Sequence, residues 1–293
     1  MMNANKENKE LNALIRLMDE PDKDIFKKVQ QKIYSFGINA VPLLEDAWEN
    51  SFDDRVQQRI EDIIHEIQLK DLYAALHSWA YFNDNDLLKG FILLTKYQYP
   101  DLDETYVIRK IGSISQDIWL ELNSRLTALE KIKVINHILF DVYEFTGNKL
   151  DINAPEHYYL NNMLDTGKGN PLSIGSLYII VAQSLKIPVF GIDLPGHFIL
   201  AYVDELMDKG QQVTHTDQVL FYINPFNKGA LFTRNEIELY LKQLSLSNDK
   251  KNYLPCDNVS IIARMLDELI LTHGKAGNSK KVTELKLLKR ALR

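Results

Sequence analysis

Residues 172–185 are apolar nearly all round: Leu172, Ile174, Leu177, Ile179, Ile180, Val181, Ala182 and Leu185 leave no polar face. A helix of this kind has to be buried on every side, and at about 15 residues it falls short of the ~20 that cross a bilayer. Whatever fold the chain adopts must wrap around this segment. Its borders are marked. Gly167-Lys168-Gly169 is a turn in which glycine permits positive φ and close backbone approach. Pro171 suits the first helical position, where its missing N–H would be unbonded anyway. Ile187-Pro188 ends the helix, residues 189–192 read as a strand, Pro195-Gly196 turns the chain, and His197 opens a second strand over residues 198–203. A buried helix therefore leads into a strand pair with a histidine at its mouth.

Ahead of this segment lies a repeat. Residues 21–36 (PDKDIFKKVQQKIYSF) and 52–67 (FDDRVQQRIEDIIHEI) align at an offset of 31, pairing Asp22 with Asp53, Ile25 with Val56, Val29 with Ile60, Ile33 with Ile64 and Phe36 with Ile67. A shorter apolar helix precedes each copy, at 11–18 and 41–48, which is the pattern of HEAT-like helix pairs. Two such units rarely bury enough surface by themselves. The block is thus expected to dock on the central part of the chain as a structural cap, with partner binding on its concave face as the alternative. Residues 1–10 are polar and aperiodic and are expected to be disordered.

Helical periodicity continues through 67–97, 106–122 and 129–145, broken at YPDLD (99–103) because a residue before proline disfavours the α conformation. A short helix with a proline start is expected at 155–164. Residues 204–218 read as a polar connection, 219–223 as a third strand, and Thr233 as the N-cap of a helix to about Leu244, with Glu236 completing a capping box. Residues 259–273 and 279–291 form an amphipathic antiparallel pair about the HGKAGN turn. The expected class is α+β, mostly helical, with a small antiparallel sheet near 189–223. Its segments are a tail (1–10), HEAT-like hairpins (11–83), a central domain (84–250) and a C-terminal helical hairpin (251–293).

Composition excludes several functions. With 293 residues, roughly two domains are expected. Net charge is −6 with dispersed basic residues, whereas nucleic-acid binding needs clustered Lys and Arg to displace phosphate counterions. The lysines of KKVTELKLLKR read as the solvated face of a helix. The polar start MMNANKENKE is neither signal peptide nor anchor, and no segment approaches a membrane span. The single cysteine, Cys256, forms no intrachain disulfide and no multi-cysteine zinc site, so the cytoplasm is the expected compartment. No metal or cofactor is expected: His157 and His215-Thr216-Asp217 are isolated, HExxH is absent, and the glycines at 167 and 169 lack a phosphate-loop pattern.

Three motifs in order, GNPLSIGSLY (169–178), LPGHF (194–198) and INPF (223–226), resemble the SirB-type transglutaminase-like family, whose members carry similar G-x-P-x-S-L, PGHF and DPF-x-x-G signatures. YPDLD, PEHYYLNNML (155–164) and ARML (263–266) extend the likeness over most of the chain from about residue 85. The resemblance implies a papain-type core in which a cysteine at a helix N-terminus is the nucleophile, a histidine the base, and an Asp or Asn its orienting partner. The family nucleophile falls about 17 residues before the proline of "-IP-", which here is Pro171. Proline has no nucleophile. His197 matches the family histidine, and Asn224 stands where the family has Asp.

Ser173, in the first turn of the helix, is either a substitute nucleophile in a Ser173–His197–Asn224 set or a capping hydroxyl. His197 is either a base or a strand tie hydrogen-bonded to Asn224. Nothing brings Cys256, 59 residues further on, to the histidine. Two readings stay open. One is a non-catalytic transglutaminase-like domain that binds an unknown protein or peptide in a cleft bordered by Gly169, Asn170, Pro171, Pro195, Gly196 and Phe226. The other is a hydrolase or acyl-transferase built on Ser173.

Overall fold

The computed structural model describes residues 2–148, 154–204, 218–246 and 249–293. The expected polar connection lies almost wholly outside them, and with it His215. The chain divides into two compact units, Met1–Ala75 and Leu76–Arg293.

In the first unit, helices α1 (Met2–Ile15), α2 (Lys23–Tyr34) and α3 (Val41–Glu49) precede α4 (Asp54–Phe82), whose first turns complete it. The repeat is visible at its caps. Asp22 Oδ1 accepts the amides of Asp24 and Ile25 (2.8 and 3.1 Å), and Asp53 Oδ1 accepts those of Arg55 and Val56 (2.8 and 3.2 Å). Val29, Ile33, Ile60 and Ile67 then meet Leu11 and Leu44 in one buried cluster. The expectation of a disordered residue 1–10 tail is corrected: α1 begins at Met2. Its Ala, Glu and Lys residues are good helix formers, no Gly or Pro interrupts them, and Leu11 anchors the helix in the core.

The boundary also differs from the expected one after residue 83. It falls inside α4, because the last turns of that helix pack elsewhere: the buried Trp79 ring covers Gly90, and its Nε1 donates to the Asp86 carbonyl at 2.8 Å. The second unit continues with α5 (Leu87–Lys96), α6 (Glu104–Glu121) and α7 (Ala128–Asn136), the last running into a π-helical turn, His137–Val142. The expected short helix at 155–164 is two pieces, a 3₁₀ turn Pro155–Tyr158 and α8 (Leu160–Thr166), separated by an extended Tyr159. A two-residue parallel pair, β1 (Thr146–Gly147) with β2 (Lys168–Gly169), delivers the chain to α9 (Pro171–Ser184).

Helix α9 is the hub. Every residue from Leu172 to Ala182 is buried, with α5, α6, α8 and a four-stranded sheet packed around it. That antiparallel sheet runs β3 (Val189–Leu194), β4 (His197–Val203), β5 (Val219–Asn224), β6 (Ala230–Phe232). The fourth strand was not expected, since three residues are too few to show alternation. Phe198 explains the close approach of helix and sheet: a Cβ on Gly175 would lie 2.8 Å from its ring, and one on Gly191 2.7 Å. Helix α10 (Arg234–Gln243) covers the opposite face of the sheet with Ile237 and Leu241. The C-terminal hairpin, α11 (Asn258–Lys275) and α12 (Ser279–Arg290), is part of this unit: α11 packs on α5, α9 and β3.

Candidate functional site

The site is built at the N-terminus of α9. Asn170 caps the helix reciprocally with Ser173: its Oδ1 accepts the Ser173 amide at 2.9 Å, and Ser173 Oγ accepts the Asn170 amide at 3.0 Å. Both side chains are buried. Gly169 in β2 seals them from behind, where a Cβ would approach Ser173 Oγ to 2.6 Å. The Ser173 hydroxyl is thus a capping group. Pro171 and Leu172 instead face a cleft of about 330 Å³.

The opposite rim is the β3–β4 hairpin turn. Gly196 sits there at φ +76°, a conformation that glycine adopts without steric cost. Two long-range anchors hold the turn. Tyr240 Oη donates to the Pro195 carbonyl at 3.0 Å. Arg264 on α11 donates to the carbonyls of Leu194 (3.3 Å) and His197 (3.0 Å) and pairs with Asp193.

Strand alternation decides where His197 points. His197, Ile199 and Ala201 share one face of β4, and Phe198 and Leu200 the other. Ile199 and Ala201 pack with α10, and the His197 ring meets Tyr240 edge-on at 4.9 Å, while Phe198 lies over Gly175 of α9. His197 and Ser173 therefore occupy opposite faces of the sheet. Asn224 lies one residue beyond the Leu200–Ile223 pair. Its Oδ1 accepts the Asn227 amide at 3.1 Å, capping the turn Pro225–Asn227. Among the described residues no hydrogen bond joins His197 to Asn224 or to Ser173, so the expected His197–Asn224 tie is corrected. Asn224 serves its own turn instead.

Of the remaining expected residues, Gly196 lines the cleft and Pro195 an adjoining cavity. Phe226 turns away, its ring packed where a Cβ on Gly147 would stand. Cys256 is tied to β3: its amide and Sγ both donate to the Gly191 carbonyl (2.9 and 3.3 Å), and burial pushes its thiol up to about 12.

The groups that do line the cleft were missed. Arg264, Glu268, Thr272 and Lys275 recur at helical spacing along α11, one polar stripe on a helix whose other face is apolar. That spacing was the available signal. Glu268 accepts from Arg264 Nε (3.3 Å) and from the buried Tyr158 hydroxyl (2.6 Å). Burial, reinforced by that carboxylate, holds the Tyr158 phenol well above its ordinary range, so it stays a proton donor. His157, beside it in sequence, is buried with Nε2 2.8 Å from Asn148 Nδ2.

The sequence pattern of the transglutaminase-like superfamily matches residues 105–267. The chain belongs to that superfamily. It is similar to a UPF0162 protein of Xylella fastidiosa, 26% identical over 52% of this chain and 50% of that protein. It is also similar to mouse F-box only protein 21, 27% identical over 61% of this chain and 26% of that protein, and to a UPF0162 protein of Vibrio cholerae, 22% identical over 63% and 65%. The chain spans about half the length of the Xylella relative that it matches. No solved structure matches. Among the described residues no helix is long and apolar enough to cross a membrane.

Proposed function

We propose that this chain is a non-catalytic transglutaminase-like domain, of the SirB-type branch, that serves in the cytoplasm as a protein-binding scaffold through the cleft at the N-terminus of α9. The observation that carries this reading is the state of the first turn of α9. Pro171 stands where the resemblance places the nucleophile, and the nearest hydroxyl, Ser173, is buried in a capping box. Acyl transfer needs a nucleophile within hydrogen-bond reach of its base, and His197 points into the other face of the sheet, against Tyr240. The cleft keeps its shape and its polar stripe without that pair. A single cysteine agrees with a reducing compartment.

Activity-based probes test this. Fluorophosphonate and vinyl-sulfone reagents, applied to the folded chain, are expected to leave Ser173 and Cys256 unlabelled. Ser173 labelling that His197→Ala abolishes would overturn the proposal in favour of a serine acyl-transferase. For Cys256 the expectation has its own physical basis, because a thiol raised to about 12 carries little thiolate at neutral pH.

A further inference from the structure

Two cavities meet over the Pro195-Gly196 turn, sharing Gly196, Arg264 and Glu268. Their charges differ in sign. In the first, of about 330 Å³, two cations, Arg264 and Lys275, face one carboxylate, Glu268. In the second, of about 460 Å³, three carboxylates, Asp193, Asp267 and Glu268, face the one guanidinium. Asp267 also pairs with Lys289 at 2.6 Å, yet its side chain stays half exposed.

Arg264 is committed to Asp193, Glu268 and the hairpin carbonyls. Lys275 is exposed and has no ion pair among the described residues, and the Thr272 hydroxyl, one helical turn back on the same rim, has no partner among them either. Apolar surface lies beside these two donors: the half-buried Pro171 within the cleft, and Leu271, 62% exposed, at the edge.

A ligand that satisfies both cavities carries a single negative charge, an apolar group next to it, and a positive charge further along. One uncommitted cation opposed by Glu268 suits a carboxylate rather than a doubly charged phosphate. The first cavity is at the small end of ligand sites, so it admits the end of a chain rather than a folded element. We propose that the cleft binds the C-terminus of a peptide chain. Its α-carboxylate meets Lys275 and Thr272, and its apolar last side chain packs on Pro171 and Leu271. A Lys or Arg shortly upstream lies across Gly196 against Asp193 and Asp267. This deepens, and rests on, the reading of the cleft as a binding site.

Isothermal titration of the full chain with four synthetic probes tests it. These are an acetylated alanine-lysine-alanine-leucine peptide with a free carboxylate, its C-terminal amide, the free acid with glutamate replacing lysine, and octanoate. The free acid of the lysine peptide is expected to bind at least about tenfold tighter than each of the others, as loss of a charge-assisted contact implies. Lys275→Ala should erase the difference between acid and amide. Asp267→Asn should narrow that between the lysine and glutamate peptides, with circular dichroism confirming that both variants fold. Equal binding of acid and amide, no binding of any peptide, or octanoate binding as tightly as the peptide each overturns the proposal. Failure here with Ser173 unlabelled removes the peptide-terminus assignment alone. Labelling of Ser173 that His197→Ala abolishes removes the non-catalytic reading whatever the titration gives.

Discussion

Phe198 is held between two glycines, Gly175 on α9 and Gly191 on β3, and this contact sets how closely helix and sheet approach. Two effects oppose each other in Gly175→Ala. Helix propensity favours alanine by about 1 kcal/mol, whereas overpacking a full core costs about 1–3 kcal/mol. The ring is buried and backed by Gly191, so it cannot retreat, and the overpacking wins. The expected outcome is a lower urea midpoint at unchanged m-value. His273 is a second residue with a measurable signature. It is buried on α11, neither ring nitrogen has a hydrogen-bond partner among the described residues, and burial, aided by Lys281, lowers its pKa below 6.5. A base with a depressed folded pKa takes up protons preferentially on unfolding. Its effect is therefore absent above about pH 6.5 and grows as pH falls from there toward the folded value. Denaturation at pH 7.5 and 5.5 should show a loss of stability on acidification that is smaller in His273→Phe. An equal loss in both proteins would assign the effect to other groups.

Among the elements, α2 and α4 show how a repeat is written in a sequence. The 31-residue offset pairs Asp22 with Asp53, and both carboxylates cap their helices by accepting amides two and three residues on. Asp22→Ala and Asp53→Ala are each expected to cost about 1 kcal/mol, read from denaturation of the single variants. A negligible effect at either site would mean that the cap is dispensable there. The alignment paired these two aspartates as repeat positions, and their capping role emerges from the structure. The capping box of Thr233 with Glu236 was legible in the sequence because capping is local, needing only an acceptor and the next three residues: Glu236 Oε2 accepts the Thr233 amide at 2.7 Å. Helix α11 was harder. Its polar stripe was present in the sequence, but which element the stripe would face was not.

At the largest scale each of the two units is built on buried packing of its own. One cluster, from Leu11 to Ile67, belongs to the first unit, while α9 and the sheet organise the second. Leu44 is fully buried in the first cluster. Leu44→Ala should cost about 2–5 kcal/mol there through lost burial and the cavity left behind. Hydrogen exchange is the appropriate measurement, since it resolves local opening from global unfolding. Faster exchange is expected in α1–α3, with β3–β5 unchanged. Acceleration in the strands as well would make the two units one cooperative body.

Near neighbours along the chain were enough to specify the buried helix, three of the four strands of the sheet, the hairpin turn at Gly196, the repeat and the Thr233 capping box. An all-apolar helix has to be buried wherever it sits in the fold. Which groups meet depends on contacts between residues far apart in the chain. Alternation along β4 separates His197 from Phe198, but nothing local says which face receives α9. That was settled by α10 and α11, which reach the turn from 45 residues away through Tyr240 and 67 through Arg264. Ser173 likewise could have capped or attacked. The helix fixes its hydroxyl against Asn170, and the sheet carries His197 to the far side, because each strand can present a side chain to only one of its two faces.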